Sequence, residues 1–120
     1  MWLIKNYSMQ NKYRKLLQKE SPNLYKSYEN IVEEQFELFA KKQLDYGISN
    51  ISTGANLETK EGKEFALHGL WFRMNDKISR WKNLIIKNRK GNNETLLDTF
   101  QDLGNYSIIC QLINKGLWKE

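Results

Sequence analysis

Apolar residues along this chain return every three or four positions over three long stretches, and nowhere alternate one by one for long. That period marks helices with one face turned inward. Before Pro22, residues Met9, Tyr13, Leu16 and Leu17 have helical spacing, which predicts a short N-terminal helix. Ser21 and Pro22 then supply a helix start, with Ser as cap and Pro at the first helical position, where its missing donor costs nothing. From there to Asp45, Tyr28, Val32, Phe36 and Phe39 recur at helical steps, and Gly47 is placed to stop the helix. Residues 48–62 have no period and predict an irregular loop of a length usually reserved for function or motion. A third helix over Glu64 to Asn88 carries Ala66, Leu70, Met74, Ile78, Trp81 and Ile85 on one face. RKGNN at 89–93 reads as a turn. The last helix runs from Glu94 to Lys115, and its SIICQLI stretch is apolar nearly all round.

These elements predict an all-α domain over residues 1–120: a small helical bundle of three long helices plus a shorter N-terminal helix. Each apolar stripe needs another helix against it. Core packing is the ordinary role expected for Phe36, Phe39, Trp81 and Phe100. SIICQLI, followed by Leu117 and Trp118, exceeds what one face of a small bundle needs, which predicts a homodimer.

Composition narrows the function classes. With 120 residues there is room for one domain, and 40% hydrophobic with 28% charged residues excludes a disordered chain. A net charge of +5 favours anionic partners at long range. Its positives are interspersed with acids and no DNA-reading motif is present, so direct nucleic-acid binding is not expected. The single cysteine, Cys110, rules out an internal disulfide and a cysteine-rich zinc site. Trp2 to Ile4 is too short for a signal-peptide core, and no run approaches the roughly 20 apolar residues of a membrane span. The expectation is a cytoplasmic protein with no membrane association.

Polar residues then suggest chemistry. Glu29, Glu33, Glu37, Lys41 and Asp45 follow one another at steps of four, on one side of the second helix, with Glu34 beside them. Carboxylates so spaced repel unless lysines from a neighbour or a metal answer them. RMNDKISR places Arg73, Asp76, Lys77 and Arg80 on adjoining faces, offering the forked and point-charge donors that phosphate or carboxylate binding needs. Intrahelical ion pairing explains the same spacing. Glu94, Asp98 and Asp102 stand at steps of four on the last helix, at oxygen-ligand spacing suited to Mg²⁺. The expectation is one pocket in which Asp45, Asp76, Asp98 and Asp102 hold Mg²⁺ while Arg73, Lys77 and Arg80 hold nucleotide phosphates. Tyr46 would stack on a base, Asn50 would orient the ligand, and the loop after Gly47 would order over it.

Three runs in order, KKQLDYGISN, GLWFRMNDKISRWKNL and ETLLDTFQDLGNYSIICQLINKG, resemble the nucleotide modification associated domain 1 family, a domain of unknown function found largely in phages and bacteria. The resemblance covers about residues 36 to 116. Its pattern, K-x-x-DYG with R-x-x-DK-x-x-R and D-T-x-x-D-L-x-x-Y, singles out Lys42, Asp45, Tyr46, Gly47, Asn50, Arg73, Asp76, Lys77, Arg80, Asp98, Thr99, Asp102 and Tyr106. Family members often carry serine where this chain has Thr95. The resemblance implies a nucleotide-binding role in which Lys42 joins the phosphate-binding bases, in the host cytoplasm if the chain is phage-encoded. A more distant likeness in kind, to all-helical nucleoside triphosphate pyrophosphohydrolases, implies Mg²⁺-dependent release of pyrophosphate. Glu33 or Glu34 with Glu37 would then supply an E-x-x-E element and a candidate base, with Asp98 as the metal-holding catalytic acid. The second element departs from that pattern, since position 97 is leucine. The alternative from another class is a non-catalytic phage protein that captures a modified or signalling nucleotide.

Overall fold

A computed structural model describes the backbone of residues 2–87 and 95–119, and the side chains of 11–87 and 95–119. The helices are α1 (Trp2–Glu20), α2 (Pro22–Tyr46), α3 (Ser49–Ser52), α4 (Lys60–Ile86) and α5 (Leu96–Asn114), with no strand among the described residues. The all-α class therefore holds, but the count of long helices does not. α1 has 19 residues, as many as α5, because nothing in the segment before Ser21 breaks a helix. The expected turn at 89–93 and Glu94 lie outside the described residues.

The chain divides into two compact units, Met1–Glu37 and Leu38–Glu120. In the first, α1 passes into α2 through Ser21, whose N–H donates to the Leu17 carbonyl at 2.8 Å while its own carbonyl accepts from Tyr25 N at 3.0 Å. Helical hydrogen bonding thus continues on both sides of Pro22, which has no donor to lose. Arg14 pairs with Glu29 at 3.5 Å, donates to the Tyr25 hydroxyl at 3.2 Å and lies over that ring. Lys26 meets the same Glu29 at 3.3 Å, so bases answer the start of the acidic row. No residue of α2 is buried, and Tyr28, Val32 and Phe36 are exposed. The expected core role of Phe36 is not realised.

The second unit holds the core: Ile51, Ala66, Leu70, Ile109, Ile113 and Trp118, with Phe39, Ile48, Leu57 and Tyr106 packed at its edge. Ala66 with Leu70, and Ile109 with Ile113, are i,i+4 pairs that bring α4 against α5. Full burial of each aliphatic side chain contributes about 1.5–3 kcal/mol. Trp118 returns over α3, its indole N–H donating to the Ile48 carbonyl at 3.3 Å and its ring meeting Phe39 edge-on at 6.1 Å. Ile109, Ile113 and Trp118 are thus consumed by the chain's own core. Ile108 and Leu117 of the same apolar run stay exposed.

Trp81 and Phe100 meet edge-on at 5.0 Å, yet both remain exposed, a satellite pair outside the core. Gly47 stops α2 as expected, at φ 74°, its N–H donating to the Gln43 carbonyl at 2.8 Å. Residues 48–62 are more regular than expected. They hold α3, a left-handed Thr53, and a helix cap in which the Thr59 hydroxyl accepts from Gly62 N at 3.0 Å. That hydroxyl also donates to the Asn56 carbonyl at 2.8 Å, and the cap starts α4 four residues earlier than the apolar pattern suggests. Among the described residues no helix is long and apolar enough to cross a membrane.

Candidate functional site

A polar seam crosses the second unit where the last turns of α2 meet α4 and α5. Its centre is Asp102 on α5. One carboxylate oxygen accepts from Lys42 Nζ of α2 at 2.9 Å, the other from Lys77 Nζ of α4 at 2.9 Å. Burial pushes the Asp102 carboxyl up, but the hydrogen bonds and positive charges of Lys42 and Lys77 outweigh it and hold it below the usual carboxylate range. One turn earlier on α5, Thr99 is fully buried and its hydroxyl accepts from Arg80 at 2.8 Å. The Arg80 guanidinium also reaches the Thr95 carbonyl at 3.4 Å. With Lys77 meeting Asp102 and Arg80 meeting Thr99, α5 runs antiparallel to α4.

Beside Asp102 opens a cavity of about 420 Å³, lined by Phe39, Lys42, Gln43 and Tyr46 from α2, Asn50 and Ile51 from α3, Arg73 from α4, and Asp102, Asn105, Tyr106 and Ile109 from α5. Its size falls in the range of small-molecule sites. Arg73 donates to the Asn50 carbonyl at 3.0 Å, which ties the base to α3 and fixes where its guanidinium points. Aromatic rings, amides and bases share the walls. The one carboxylate among them is already paired with both its lysines.

The expected site residues sort accordingly. Lys42, Tyr46, Asn50, Arg73 and Asp102 line the cavity, and Lys77 joins it through Asp102. Arg80 belongs to the Thr95–Thr99 end of the same seam. Asp98 is committed elsewhere. Its carboxylate accepts from Thr95 N at 3.1 Å while the Thr95 hydroxyl accepts from Asp98 N at 3.1 Å, a reciprocal capping box that starts α5. Asp45 and Asp76 are exposed and do not line the cavity. Glu33 and Glu37 are exposed on the α2 segment of the first unit. Of the acids expected to hold Mg²⁺, Asp102 has an ammonium on each oxygen and Asp98 caps a helix.

Sequence reasoning passed over Phe39, Gln43 and Asn105 as site residues. Gln43 and Phe39 precede Tyr46 by three and seven positions, and Asn105 follows Asp102 by three, so one helical face carries each group. No protein-family model, curated protein or solved structure matches this chain.

Proposed function

We propose that this chain binds a nucleotide without turning it over, in the cavity between α2, α3, α4 and α5. The observation that carries this is the pairing of an aromatic wall with a surplus of positive charge in one cavity of about 420 Å³. Tyr46, Tyr106 and Phe39 offer surfaces for a base, and Asn50 and Asn105 offer amides for its edge or the sugar. Lys42 and Arg73 against Asp102 leave one positive charge over on the cavity wall, which suits the phosphate of a nucleoside monophosphate. Binding is favoured over hydrolysis because two of the acids expected to hold Mg²⁺, Asp98 and Asp102, serve other partners, and the other two, Asp45 and Asp76, do not line the cavity.

Membership of the nucleotide modification associated domain 1 family belongs to the same proposal. What supports it is that the resembling motifs engage one another. K-x-x-DYG and R-x-x-DK-x-x-R send Lys42, Lys77 and Arg80 to Asp102 and Thr99 of D-T-x-x-D. The Thr95 departure falls on the helix cap, where serine and threonine do the same work.

The test is titration of the purified chain with a panel of nucleoside mono-, di- and triphosphates, with and without Mg²⁺, with mass measurement of the ligand afterwards. Saturable one-to-one binding is expected, strongest for a monophosphate, independent of Mg²⁺, and with the ligand recovered unchanged. Tyr46→Ala should weaken it by about tenfold to more than a hundredfold, the worth of one stacked base, and Tyr46→Phe should bind nearly as the parent. Pyrophosphate release, or no binding at millimolar concentrations, would refute the proposal.

A further inference from the structure

α4 carries a second apolar stripe that the core does not use. Trp71, Met74, Ile78, Trp81 and Ile85 follow at steps of three, four, three and four, the spacing of a helix that packs lengthwise on another. At 3.6 residues per turn, Ile78 lies roughly 80–120° around α4 from Leu70 and Ala66. Trp71 is 59% exposed, Ile78 49% and Ile85 61%. The antiparallel neighbour α5 extends this surface with Leu96 and Phe100, the latter joined to Trp81 by the edge-on ring contact. Between Trp71 and Ile85 the stripe is flanked on one side by Asn75 and Lys82 and on the other by Lys77, which pairs with Asp102.

We infer that this two-helix face docks on the same face of a second copy, giving a two-fold dimer in which α4 crosses its counterpart antiparallel near Met74 and Ile78. The exposed parts of these side chains sum to about 600 Å² per copy, taking roughly 150–250 Å² for each aromatic ring. That already reaches the upper end of about 300–600 Å² for the largest apolar patch of an ordinary monomer. With a polar rim added it approaches the roughly 800 Å² that each partner buries in a standard stable interface. Apolar knobs at three-four spacing need a partner with the same spacing and an equally apolar centre. A second copy provides both, and two helix pairs face to face close into a four-helix bundle.

Sedimentation of the full chain over micromolar concentrations should give twice the 14.3 kDa chain mass. Ile78→Glu should weaken self-association by about a hundredfold or more, since it takes charge out of water and sets like charges of the two copies against each other at the crossing, while helical circular dichroism is retained. Phe65→Glu, exposed on the far side of α4, should leave the dimer intact. In a Cys110→Ser background, Ile78→Cys should cross-link to its own copy under mild oxidation and Phe65→Cys should not, which decides the matter even if Ile78→Glu fails to fold. A monomeric parent chain, an undiminished Ile78→Glu dimer, or cross-linking through position 65 instead would overturn the inference. A monomer would leave the stripe to a different protein or to another segment of the chain.

Discussion

Asp102 is held ionised by two ammonium groups from two different helices, and this gives the seam a defined response to acid. Its carboxyl titrates below the ordinary value near 4. The stability it contributes is therefore complete above that ordinary value and is lost as pH falls through the lower folded one. Asp102→Asn should cost about 1 kcal/mol at neutral pH, a modest figure because Lys42 is half-exposed and solvent screens it. In urea denaturation the gap between variant and parent should close on acidification below about pH 4; a gap that stays constant with pH would assign the loss to shape instead of charge. Asp98 behaves differently. Because its carboxylate caps α5, Asp98→Ala should lower stability by about 1 kcal/mol, as loss of a helix cap does, and leave nucleotide affinity unchanged. Affinity lost at constant stability would return Asp98 to the site.

Helix periodicity made the start of α2 at Pro22, its stop at Gly47 and the all-α class legible in the sequence. It misjudged which side of α4 turns inward. Ala66, Leu70, Met74 and Ile78 stand at steps of four, and each such step turns about 40° around the helix. The row therefore winds away from the core, leaving Ala66 and Leu70 buried and Ile78 outside. For the site, Lys42, Tyr46, Asn50, Arg73 and Asp102 were legible as residues, but their pairing was not. Spacing within one helix says nothing about a partner on another, and Asp102 lies 60 positions from Lys42. The segment 48–62 was misread because its order comes from single hydrogen bonds of Asn56 and Thr59, which leave no apolar period. Gly62 tests that account. A methyl group there would overlap the Asn56 carbonyl, so Gly62→Ala should cost about 1–3 kcal/mol, seen as a lower thermal midpoint with the helical signal intact below it.

The long reach of two bonds has a consequence for how the protein comes into being. Lys42 waits for Asp102 across 60 positions, and the Ile48 carbonyl waits for the Trp118 indole across 70. On the ribosome, α2 emerges and winds while Asp102 and Trp118, the partners of Lys42 and of the Ile48 carbonyl, are still unmade. Local helix formation takes about a microsecond, whereas synthesis adds roughly 5–20 residues each second. The cavity walls from α2 and α3 therefore stand for several seconds without the α5 side that completes them. Until residue 118 clears the exit tunnel, the nascent chain is a string of helices with exposed apolar stripes, a natural client for chaperones. The last wall of the cavity is set in the same step that closes the core.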